Sequence, residues 1–75
     1  MMKNKVLEVM SLVFEVPQEK LNEESSSENI ESWDSLMHMN LVVALEEEFD
    51  VEFDEEEIIG MLSYKGVIEL LEAKL

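Results

Sequence analysis

Residues 33–53 read WDSLMHMNLVVALEEEFDVEF, and the order of residue types in that stretch decides the fold. His38, Leu41, Val42, Leu45 and Phe49 recur at intervals of three and four, the spacing that lines one face of an α-helix. Asp34 or Ser35 suits the N-cap, where a short oxygen-bearing side chain accepts a backbone N–H that has no intrahelical partner. The helix is predicted to run to about Phe49. Leu36, Met39 and Val43 form a second apolar row on it. A surface helix needs only one apolar stripe. The second row therefore has two readings, a wide core-facing stripe or a face turned to a partner or ligand.

Upstream, Val6, Val9, Met10 and Val13 recur at helical spacing with Phe14 beside them, which predicts a helix over residues 3–15. Pro17 disfavours helical geometry at Val16. Residues 16–34 then make a long connection carrying Asn22, Ser25, Ser26, Ser27 and Asn29, with Leu21 and Ile30 as its anchors to the core. A loop of that length inside a small domain is uncommon and is usually functional. Downstream, Asp54 caps a short helix from Glu55 to about Gly60, whose first-turn Glu55, Glu56 and Glu57 suit the positive end of the helix dipole. Ser63 caps a last helix over residues 64–74, with Val67, Ile68, Leu70 and Leu71 inward and Lys74 near its negative end. Gly66 inside that helix reads as a local weakness of about 1 kcal/mol relative to alanine. No strand-like alternation, hairpin turn or internal repeat competes. The predicted fold is all-α: an antiparallel four-helix bundle with three main helices, a short third helix and a long loop between helices one and two. At 75 residues it is predicted to be one domain spanning 1–75, of modest stability.

Nineteen Asp and Glu against five Lys and Arg give a formal charge of −14. Such a surface repels nucleic acid and anionic membranes and speeds encounter with basic protein patches. The plain alternative is that the acids only keep a small protein soluble. With 47% apolar residues, the chain has the means to form a core despite its charge. There is no cysteine, hence neither a disulfide framework nor a thiolate metal site. No stretch reads as a signal peptide or bilayer span. A cytoplasmic monomer is the expectation.

Asp-Ser-Leu alone is a weak motif, and Ser35 read in isolation is only a helix-start residue. Its context is more specific. Trp33-Asp34-Ser35-Leu36 follows a long loop, opens an amphipathic helix, and leads through ALEEEF into an acidic turn and a short third helix. That arrangement resembles the acyl carrier protein family over essentially the whole chain. The resemblance implies a carrier rather than an enzyme. Ser35 would be the attachment site for 4′-phosphopantetheine donated by coenzyme A, with Asp34 and Leu36 flanking it. Acyl groups would ride as thioesters on the thiol of that arm. The implied partners are a phosphopantetheinyl transferase and acyl-activating and acyl-transfer enzymes with basic patches. A helix start is a suitable place for the phosphodiester, because free N–H groups and the dipole favour an anion there. Asp34 would repel the phosphodiester, so capping and recognition by the transferase are its expected roles. Met37, Met39, Asn40 and Val43, with Glu46, Glu47 and Glu48, are the expected partner-binding residues of helix two. The acids would guide basic partners, and Leu36, Met37 and Met39 would supply apolar contact.

The chain departs from fatty-acid-synthesis members of the family, which usually carry Gly-Ala before the Asp and acids just after the motif. Here those places hold Ser32-Trp33, and Met37 and Asn40. Trp-Asp-Ser-Leu-x-His looks more like specialised carriers of secondary or polysaccharide-related pathways. Trp33 has two readings, a contact for the arm or partner, and a loop tryptophan covering the core. His38, the one histidine, reads as a core or rim residue, since no second ligand at metal spacing accompanies it. Asp50, Glu52 and Asp54 imitate half of an EF-hand loop, but Glu55 stands where glycine is required and Met61 where the closing glutamate belongs, so no metal site is expected. The rival readings are an aminoacyl or peptidyl carrier, which shares the serine chemistry, and an unmodified acidic interaction module. Strong acidity and the absence of flanking linkers favour a discrete acyl carrier over the first. The second leaves the serine context unexplained.

Overall fold

Caps and apolar spacing set the helix boundaries. The computed structural model of the chain describes residues 2–75, and Met1, first residue of the predicted 1–75 domain, lies outside them. Helix α1 spans Met2–Phe14, α2 Ser35–Phe49, α3 Glu55–Gly60 and α4 Tyr64–Lys74, with one 3₁₀ turn at Gln18–Lys20 between α1 and α2. Three N-caps act as the residue types imply. Asp34 Oδ1 accepts the Met37 N–H, Asp54 Oδ1 that of Glu57, and Ser63 Oγ that of Gly66. Asp34 is thus the cap of α2, and Ser35 is its first helical residue.

The helices enclose one apolar core, in the antiparallel four-helix arrangement the sequence predicts. Val6 and Met10 of α1, Leu41 and Leu45 of α2, and Val67 and Leu71 of α4 are fully enclosed, together with Met61 from the turn between α3 and α4. Each such side chain contributes about 1.5–3 kcal/mol of transfer free energy. Leu70, expected to face inward, is only half-buried. Helix α3 buries none of its own residues. It is held by the half-buried Ile58 and by its ends. Asp54 and Glu57 form a capping box, Glu57 Oε2 pairs with Lys74 Nζ at 2.9 Å, and Met61 plugs the core. The Lys74 ammonium also sits over the Phe53 ring, 5.4 Å from its centroid.

Gly66 is not the weakness its helix propensity suggests. A Cβ at this position would lie 2.3 Å from the Gly60 carbonyl oxygen. The missing side chain lets the end of α3 rest on the first turn of α4.

The connection from 16 to 34 is tied down by its own polar residues, which explains their abundance. Asn22 Oδ1 accepts the Glu24 N–H, Asn29 Oδ1 accepts that of Ser26, and the Asn29 amide donates to the Glu24 carbonyl. Ser27 N–H donates to the Leu62 carbonyl, and Tyr64 N–H to that of Ser25, so the loop is stitched to the α3–α4 turn around a Ser26–Ser63 bridge. Leu21 is buried and Ile30 half-buried, as anchors should be.

Candidate functional site

Seven serines occur in the chain, and six are withdrawn from solvent to some degree. Ser25 is buried; Ser11, Ser26, Ser27, Ser32 and Ser63 are half-buried. Five of those six hydroxyls have work inside the fold. Ser11 and Ser32 donate to the carbonyls of Val16 and Phe14, while Ser25, Ser26 and Ser63 accept from the N–H groups of Asn22, Glu28 and Gly66. Ser35 alone is exposed, and its hydroxyl has no hydrogen-bond partner among the described residues.

The reason lies in the cap. Because Asp34 takes the Met37 N–H and its carbonyl takes the His38 N–H, the N–H groups of Ser35 and Leu36 at the helix start stay unpaired among the described residues. An exposed hydroxyl therefore stands beside two free donors at the positive end of a fifteen-residue helix. That is a fitting place for a covalently held phosphodiester, with one opposing charge from the exposed Asp34. Beside Ser35 runs an open groove of about 500 Å³, lined by Ser27, Trp33, Asp34, His38, Met39 and Leu62.

The expected partner-binding residues divide into three groups. Leu36, Met39 and Val43 are exposed at 67%, 46% and 50%, so the second apolar row of α2 faces solvent rather than widening the core stripe. Asn40 is exposed beside them. Met37 departs from the expectation: it is half-buried and packs against the core, because it lies one turn before the inward Leu41. The acidic triplet is not one face either. Consecutive helical residues diverge by about 100°. Glu46 is half-buried, and its carboxylate accepts the Phe53 N–H at 2.9 Å, closing the turn after α2. Glu47 and Glu48 are exposed and line the groove against Val9, Leu12 and Val13 of α1, about 18 Å along the helix from Ser35. Glu48 lies 3.9 Å from Lys5.

Trp33 is a core residue, 3% exposed, with its ring 4.8 Å from that of Phe14. His38 is buried beside it: the Trp33 indole Nε1–H donates to His38 Nδ1 at 3.0 Å, and His38 Nε2 lies 2.7 Å from the Ile58 carbonyl. Sequence reading missed Leu62, which flanks the Ser35 groove, and the exposed Ile59. The adjacent Ile58 and Ile59 were the available signal, since a one-turn helix can turn only one of the pair inward. No helix of the described residues is long and apolar enough to cross a membrane.

The family model for a phosphopantetheine attachment site matches residues 4–72. Among solved structures, the chain is similar to the holo acyl carrier protein from Geobacter metallireducens, determined in solution by NMR. The two share 29% identity at a TM-score of 0.85, over 96% of this chain and 83% of that one.

Proposed function

The chain belongs to the acyl carrier protein family, whose members carry a covalently attached 4′-phosphopantetheine and do not themselves catalyse, and on that premise we propose that Ser35 is the attachment residue and that the carrier serves a specialised pathway. One observation carries the site assignment: Ser35 is the single exposed serine, at the start of a helix with free N–H donors. The arm supplies a terminal thiol on which acyl groups ride as thioesters. The chain's own part is to present the hydroxyl, to favour the phosphodiester with the head of α2, and to offer partners a face.

That face is the apolar Leu36, Met39 and Val43 with the polar Asn40, uncharged and close to Ser35, with Glu47 and Glu48 as a distant acidic guide. Buried apolar anchors carry much of an interface's affinity, whereas charge mainly sets on-rate and specificity. A carrier built this way relies less on acids near the serine than fatty-acid carriers do, which supports the specialised role. The proposed partners are a phosphopantetheinyl transferase and acyl-handling enzymes with basic patches. We place the protein in the cytoplasm as a monomer, its 75 residues acting as one carrier domain.

Incubation with coenzyme A and a broad-specificity phosphopantetheinyl transferase, read by intact mass, tests the assignment. Wild type should gain one phosphopantetheinyl group, and Ser35→Ala should fold but gain none. Modification of Ser35→Ala at Ser27 or any other serine would refute it.

A further inference from the structure

The pairing around His38 assigns its tautomer by chemistry alone. The Trp33 indole nitrogen can only donate, so Nδ1 must be the bare, accepting nitrogen. The Ile58 carbonyl can only accept, so Nε2 must carry the proton. His38 also donates its backbone N–H to the Asp34 carbonyl at 2.8 Å. That main-chain bond forms whatever side chain stands at 38; what the imidazole itself adds is its hold on Trp33, two positions before Ser35. The Trp33–His38 bond is buried, so breaking it leaves the indole N–H without a replacement partner.

We propose that His38 is a positioning residue for modification of Ser35: the Ile58 carbonyl fixes the Nε2–H tautomer, and Nδ1 then holds the Trp33 indole inward and sets the turn at Asp34–Ser35. The proposal rests on the assignment of Ser35 as the attachment site. It makes the end of α3, through one carbonyl, part of what presents the hydroxyl at the start of α2. Because the effect is on presentation, it falls on how well the transferase binds the carrier and not on the chemical step.

The two bonds of the ring can be separated. Asparagine places its oxygen near the position of Nδ1, and glutamine places its amide near that of Nε2. His38→Asn keeps an acceptor for Trp33; His38→Gln keeps a donor for Ile58 and abandons Trp33. Trp33→Phe keeps a ring against Phe14 and removes the donor. The experiment measures transferase kinetics with coenzyme A at 25 °C on each variant, with helicity checked by circular dichroism. Val67→Ala, a core truncation in α4, serves as the control for lost stability alone. The expected result is a rise of about fivefold in KM for His38→Gln and Trp33→Phe at unchanged kcat, the factor one neutral hydrogen bond represents. His38→Asn should recover most of that loss, and Val67→Ala should stay near wild type. The lone tryptophan gives an independent readout: its indole N–H should exchange slowly in wild type and His38→Asn, and fast in His38→Gln. Equal kinetics for all folded variants would overturn the proposal while leaving Ser35 as the attachment site. Equal losses for His38→Asn, His38→Gln and Val67→Ala would overturn it as well, reducing His38 to core packing. An unmodified wild type would overturn both readings.

Discussion

Substituting alanine for each of the two glycines should shift stability in opposite directions. By propensity alone, Gly66→Ala in the first turns of α4 would stabilise by about 1 kcal/mol. The structure opposes this. The new Cβ would stand 2.3 Å from the Gly60 carbonyl oxygen and 3.3 Å from Ser63 Oγ, the atom that caps α4. Backbone cannot swing away as a flexible side chain can, so relief requires α3 to move off α4. Overpacking of this kind costs about 1–3 kcal/mol. Taking the upper end, because the obstacle is main chain, leaves a net loss of about 2 kcal/mol after the propensity gain. For a domain of this size that is a fall of roughly 10 °C in Tm. Gly60→Ala is the matched comparison: nothing lies within 4 Å of its Cβ, and its φ is not positive. That variant should hold or raise Tm, by up to about 1 kcal/mol of stability. Thermal unfolding followed by circular dichroism decides. A Tm for Gly66→Ala equal to or above wild type would refute the close-packing account of the α3–α4 junction.

Asp34→Ala should cost about 1 kcal/mol by freeing the Met37 N–H, whereas Asp34→Asn should keep the cap and most of the stability, as read by urea unfolding. Glu57 has its carboxyl held below the ordinary glutamate value, first by the Asp54 N–H and then by Lys74, against some desolvation. A pKa depressed by folding means stability that is present above the ordinary glutamate value and lost as pH falls through the folded one. Wild type should therefore exceed Glu57→Gln in stability at pH 7, with the gap closing as pH drops below about 4.5; a gap that persists at pH 3 would contradict the assignment. Asn40→Glu should raise kcat/KM with a fatty-acid ketosynthase and weaken use by the carrier's own partner, both measured with the same acyl group loaded. Efficient use of wild type by that ketosynthase, unchanged by the substitution, would sink the specialised reading. Met37 is a poor site for the same test, since it packs against the core.

Much of the architecture was legible because it rests on local chemistry. Asp34, Asp54 and Ser63 each stand three residues before the N–H they cap, so helix starts are written in neighbouring letters. The same holds for the inward row of α2, where a spacing of three and four places His38, Leu41, Val42 and Leu45 on one face. The cap alone does not give the exposure of Ser35, since Tyr64 holds the same place after Ser63 and is buried.

The remainder depends on residues that meet only after folding. Sequence alone left the second row of α2 open between core and partner, and only the packing of α1 and α4 shows that the core is filled without Leu36, Met39 and Val43. Glu46 reads as one of three equivalent acids until the turn after α2 brings the Phe53 N–H to it. Gly66 reads as a flaw until Gly60, six residues earlier, is laid against it by a different helix. His38 and Trp33 are five residues apart, but their bond takes its direction from Ile58, twenty residues beyond His38. Helical periodicity and capping act over three or four residues, so the sequence by itself determined the helices, their caps and the family resemblance. Contacts across the bundle are set by how whole helices pack, so only the tertiary structure decided which acids stay free, what Gly66 packs against, and that His38 joins Trp33 to Ile58.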